Sequence, residues 1–94
     1  MRRSKLDLVL GVLRTVNEGV TKPTRIMYAV NLSWKPTQNI LQSLVEQGLL
    51  ELTTDGASKR SRKSYSLTEK GYGVINYFDG AKQLLNVDDI ISDI

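Results

Sequence analysis

The side chains best suited to directed hydrogen bonding cluster within residues 35–46: Lys35, Gln38, Asn39, Gln42 and Ser43. Asn and Gln carry a donor and an acceptor on one planar amide, which fits an adenine edge in a major groove or a partner's backbone. A second concentration follows at Lys59, Arg60, Arg62 and Lys63, four cations in five positions. Such a run suits phosphates or the negative potential of a narrow minor groove, and its alternative is a solubilising loop. Arg2 and Arg3, with Lys5 behind them, extend the basic character as an N-terminal arm, or else form a loose terminus. Arg25, with Lys22 nearby, stands at the start of a short helix, where a cation opposes the macrodipole and so calls for an anionic partner.

Catalysis finds no comparable residues. The chain has no His and no Cys, no phosphate-cradling glycine loop, and no acid pair spaced as a general acid and base. Asp88, Asp89 and Asp93 lack the oxygen-rich loop pattern of a calcium site. The expectation is therefore no enzyme, no metal, no cofactor and no small-molecule substrate. No apolar run approaches a membrane span, and the basic start leads into an amphipathic pattern rather than a signal segment, so a soluble cytoplasmic protein is expected.

Charge sharpens the reading. Of the 94 residues, 1–83 hold all 13 Lys and Arg against seven of the ten acids, a net +6, while 84–94 hold only three acids. A basic body favours nucleic acid, because neutralising phosphates releases counterions.

The elements that must position these residues follow from periodicity. Residues 4–18 form a first helix, with Ser4 and Asp7 as a capping box and Leu6, Val9, Leu10, Leu13 and Val16 as its apolar face. Residues 20–23 connect, with room for one extended pair, and Thr24 caps a short helix over 25–30. Residues 32–48 carry the clearest two-faced pattern. Ile40, Leu41, Leu44 and Val45 face inward, Lys35, Asn39, Gln42 and Glu46 outward, Ser33 caps, and Gly48 suits a left-handed stop. Trp34 falls on the inward side and is expected as a core anchor rather than a stacking residue; Tyr28 and Tyr65 are expected at the core or its rim. The period then changes: residues 49–54 and 64–68 read as antiparallel strands around a basic loop over 55–63. Thr68 caps a last helix, weakened by Gly71, Gly73 and Gly80. Its stripe of Val74, Ile75, Phe78, Ala81 and Leu85, flanked by Tyr72 and Tyr77, closes the core in its first turns and meets a symmetry mate in its later ones.

The order helix, helix, helix, strand, basic loop, strand, helix is that of an α+β, mostly α, winged helix-turn-helix: three helices, a β-hairpin wing and a C-terminal dimerisation helix. The expected division is a winged-helix domain over 1–70 and a dimerisation helix with acidic tail over 71–94. Against this background the stretches RSKLDLVLGVLRTVNEG, TRIMYAVNLSWKPTQNILQSLVEQGLLEL and YSLTEKG resemble the small archaeal winged-helix DNA-binding proteins, some of them chromatin-associated. The resemblance covers roughly residues 3 to 80. It implies a homodimer binding double-stranded DNA without cofactors, nucleoid-associated, with an antiparallel coiled coil of last helices. The glycine-interrupted, acid-tailed last helix and the long basic wing depart from that family's pattern. The function expected is a transcriptional regulator or architectural chromatin factor, its third helix in the major groove and its wing on the backbone or minor groove. The alternative is a winged-helix module that docks on proteins in a larger assembly.

Overall fold

Three helix ends, each closed by one residue in the left-handed region, set the path of the chain. In the computed structural model, which describes residues 4–55 and 62–84, α1 runs Lys5–Asn17, α2 Pro23–Val30 and α3 Trp34–Glu46. They are followed by β1, Leu50–Asp55, β2, Arg62–Leu67, and α4, Glu69–Leu84. After α1, α2 and α3 the chain turns at Gly19 (φ +99), Asn31 (φ 56) and Gly48 (φ +77). At each turn the next amide reaches back to the last helical turn: Val20 N–H donates to Thr15 O, Leu32 N–H to Met27 O and Leu49 N–H to Leu44 O. This satisfies carbonyls that a helix end otherwise leaves bare, and it makes each exit sharp.

The start of α1 is the expected capping box. Asp7 N–H donates to Ser4 Oγ at 3.0 Å, and Ser4 N–H donates to the Asp7 carboxylate at 3.3 Å. The caps of α2 and α3 differ from expectation. Lys22, not Thr24, is the N-cap of α2, because Pro23 takes the first helical position, where its fixed φ fits and its missing N–H costs nothing. Ser33 is the N-cap of α3, yet its side chain makes no capping bond. Its carbonyl instead accepts from Thr37 N–H at 3.3 Å and Thr37 Oγ1 at 2.9 Å. Thr37 is fully buried, so its hydroxyl must find an acceptor within the helix.

The core gathers one face from every element. Val12, Leu13, Ile26 and Leu41 are wholly buried, with Leu44, Leu50, Tyr65 and Ile75 around them. The apolar stripe of α1 is partly buried at Val9 and buried from Leu10; Leu6 is exposed, its turn lying ahead of the cluster. Tyr28 also corrects the expectation, being 74% exposed, since the short α2 turns only Ile26 and Val30 fully inward.

The hairpin pairs Leu50 with Leu67 and Leu52 with Tyr65, out to Asp55 with Arg62. β2 therefore starts two residues earlier than its alternation suggests, and Arg62 and Lys63 belong to a strand rather than to the loop. On its other side Tyr65 N–H donates to Thr21 O at 2.9 Å, the extended contact expected of the first connection. α4 is clamped to the end of α3. Thr68 Oγ1 accepts from Gly71 N–H at 3.0 Å and lies 2.7 Å from Gly48 O and 3.0 Å from Leu49 O. Lys70 Nζ donates to Gln47 O at 2.8 Å. Gly71 is there for space: a Cβ would strike the Leu49 carbonyl oxygen and stand 2.8 Å from Leu67 Cδ1. Further along, Arg14 pairs with Asp79 at 2.7 Å and ties α4 to α1.

Candidate nucleic-acid interface

α3 offers its surroundings a bare arc. Thr37, Leu41 and Leu44 are its buried side, while Lys35, Asn39, Gln42 and Glu46 are exposed and, at 3.6 residues per turn, share one outward face. Gln42 and Glu46 are linked along it, Nε2 donating to Oε1 at 3.3 Å. The other two expected readers sit at the edges. Ser43 is exposed on the side toward α1, lining a groove of about 690 Å³ with Asn39, Lys5 and Leu8. Gln38 leans toward the hairpin; its Nε2 is buried without a hydrogen-bond partner and borders a cavity of about 380 Å³ with Gln42, Lys63 and Tyr65. The structure thus brings Lys35, Asn39 and Gln42 onto one face and places Gln38 and Ser43 on its two flanks.

Lys22, Arg62 and Lys63 gather near the N-terminal end of α3, and Lys63 also borders the cavity that Gln42 and Glu46 line. Arg25 is exposed in the first turn of α2, and Lys22 precedes it. Arg62 and Lys63 emerge at the start of β2, close enough to Lys22 to line one cavity with it. Among the residues whose side chains are described, the ion pair of Arg14 with Asp79 is the only one. Lys59, Arg60, Arg2 and Arg3 lie outside the described residues.

Trp34 is the clearest correction. Expected in the core, it is 49% exposed. Its direction is inward, about 20° from that of Leu41. It stands two turns earlier, however, at the first residue of α3, beyond the core cluster. There it meets Lys22, Pro23, Thr24, Arg62 and Lys63 around a cavity of about 320 Å³. The signal for this lay in its position directly after the helix cap, where an inward direction no longer means burial. Tyr65 is buried as expected, and that burial raises its phenol above the ordinary value of 10.0.

The expected dimer stripe divides. Ile75 is buried in its own chain and Val74 packs beside it; Phe78 and Ala81 are half-buried, and Phe78 meets Tyr77 edge to face with centroids 5.5 Å apart. Tyr72, Tyr77 and Leu84 are exposed, and Leu85 and the tail fall outside the described residues.

Three comparisons bear on this arrangement. An uncharacterized protein of Methanocaldococcus jannaschii, MJ0287, is 30% identical over 70 residues, a match that covers 74% of this chain and 64% of that protein. The chain therefore spans less than two thirds of that relative's length. Among solved structures, Sso10a-2, a DNA-binding protein from Sulfolobus solfataricus, superposes with a TM-score of 0.73 at 23% identity, covering 96% of this chain and 87% of that one. MepR of S. aureus, solved in complex with DNA, gives 0.71 at 16% identity over 93% and 73% of the two chains. A family model described as winged helix-turn-helix matches residues 2–86. With its four helices, its hairpin and that match over most of its length, the chain belongs to the winged helix-turn-helix family, which is non-enzymatic.

Proposed function

We propose that this protein binds double-stranded DNA as a cytoplasmic, nucleoid-associated homodimer, acting as a transcriptional regulator or architectural chromatin factor. The observation that carries the reading is the exposed arc of α3, with Lys35, Asn39 and Gln42 turned outward, together with the exposed cations Lys22, Arg25, Arg62 and Lys63 on α2 and the hairpin. α3 enters the major groove and presents its amides to base edges, while α2 and the hairpin hold the phosphates on either side. Lys59 and Arg60, between the two strands, extend the hairpin's contact to the backbone or minor groove, and Arg2 and Arg3 add an arm. Two similar folds carry descriptions that agree with this reading: Sso10a-2 is a DNA-binding protein, and MepR has been solved on DNA.

The homodimer forms along α4, through Phe78, Ala81 and Leu85 beyond the turns that Val74 and Ile75 commit to the core. Leu84 at 89% and Tyr77 at 73% exposure are large apolar groups that a partner helix would cover. Each copy then presents one α3, and two half-sites raise the effective affinity of a modest reader.

Salt-titrated binding to duplex DNA tests the reading. Affinity should fall steeply and log-linearly with salt. A protein that does not bind at low ionic strength, or whose binding ignores salt, is not what we propose. Gln42→Ala should weaken some sequences only, whereas Lys59→Ala with Arg60→Ala should weaken all alike.

A further inference from the structure

We propose that Trp34 and the cations around it form one seat for a sugar-phosphate unit of duplex DNA, making Trp34 a residue that positions α3 on the backbone. The proposal rests on the DNA-binding reading and adds a contact that the reading does not need. A half-exposed indole is costly to leave in water, and it stands at the first residue of α3 in a cavity of about 320 Å³. The lining is chemically divided. Pro23 and Trp34 supply apolar ring surface; Lys22, Arg62 and Lys63 supply positive charge; none of the described residues lining the cavity is an acid. A bare phosphate has use for the cations but none for the ring surfaces. A deoxyribose has apolar C–H faces and carries its phosphate on the same unit, so it matches both halves. The indole N–H is a donor only, and so suits a phosphate oxygen and not a cation.

Location agrees with chemistry. The seat joins α2, α3 and β2, the three elements that flank the outward arc. In a helix-turn-helix the backbone passes where the first helix of the pair crosses it, beside the N-terminal end of the reading helix. A phosphate held there fixes how deep α3 sits and at what angle, without reading sequence.

The single tryptophan of the 94-residue chain makes the seat directly observable. With the full chain, duplex binding is followed by anisotropy of labelled DNA, and Trp34 by its emission and by quenching with neutral acrylamide. Saturation with duplex should cut acrylamide quenching about twofold or more, with the same midpoint as the anisotropy, and Trp34→Ala should lower affinity about tenfold on unrelated sequences alike. Trp34→Phe, which keeps a ring and loses the N–H, should fall between the two. Inorganic phosphate at millimolar levels should not shield the indole. An indole as accessible at saturation as in the free protein overturns the proposal while leaving DNA binding intact. Shielding by inorganic phosphate as complete as by DNA also overturns it, in favour of a free-anion site. Absence of anisotropy change at low salt removes the underlying DNA reading, and the seat with it. Should Trp34→Ala lose its helical circular dichroism, the shielding in the unmutated protein still decides.

Discussion

Tyr65 shows how one buried tyrosine couples stability to pH. Burial disfavours the phenolate, so the folded state holds the phenol proton more tightly than the unfolded chain, whose value is near 10.0. The stability from this difference is fully present below pH 10 and is lost as pH rises through the higher folded value. Thermal melts of the unmutated protein should therefore decline above pH 10, and Tyr65→Phe should decline less over the same range. Equal alkaline slopes for the two would contradict this. Leu41 makes the complementary case in the core: wholly buried, its truncation to Ala should cost about 3 kcal/mol, read from denaturant midpoints. Trp34 and Leu41 point in nearly the same direction from α3, and only one is buried. Helical direction is a local property, whereas burial requires something on the other side.

At the scale of elements, the glycines of α4 separate two roles that their residue type does not. Gly71 lies against the Leu49 carbonyl and the Leu67 side chain, while a Cβ on Gly73 would meet nothing within 4 Å. Gly71→Ala should therefore destabilise by about 2 kcal/mol, since the obstacle is backbone and cannot turn aside. Gly73→Ala should stabilise by up to about 1 kcal/mol through helix propensity alone. Paired thermal melts check both signs at once, and a gain from Gly71→Ala would mean α4 can shift away from the end of α3. The Arg14–Asp79 pair is partly exposed, at 34% and 44%, and acts as a register mark between α1 and α4 more than as a source of stability. Asp79→Ala should cost less than about 1 kcal/mol. The caps tell the same story. The Ser4–Asp7 box was legible because capping is local, and Lys22 at the start of α2 was missed because Pro23 outweighs a threonine one residue later.

For the whole molecule, the DNA binding we propose divides labour between an outward face of α3 with few charges and flanks rich in them. Of the outward residues of α3, Lys35 is the single cation and Glu46 offsets it, so on that reading most electrostatic affinity comes from the flanks. Lys22→Ala and Lys63→Ala should each reduce the slope of log affinity against log salt by about one, on every sequence tested. A slope unchanged by both would remove them from the phosphate contacts. Sedimentation of the full chain at micromolar concentration should give a dimer, with Leu84→Asp shifting it toward monomer and leaving the melting temperature of the domain close to its former value. A monomeric unmutated protein would argue against the α4 interface.

Order of elements, the two-faced α3 and the basic character of the hairpin were determined by the sequence itself, because periodicity, capping and charge act over a turn or a strand at a time. The stop at Gly48 and the cap at Thr68 belong to the same class. What only the tertiary structure decided was which side chains share a space. It showed that Gly71 is a point of close approach and not merely a weak place in a helix, that Arg62 and Lys63 rise from a strand, and that Gln38 turns its amide nitrogen inward. It also put Trp34 beside Lys22 and Lys63, residues 12 and 29 positions away along the chain. No local rule relates residues so far apart; only packing of the helices against the hairpin brings them to one cavity.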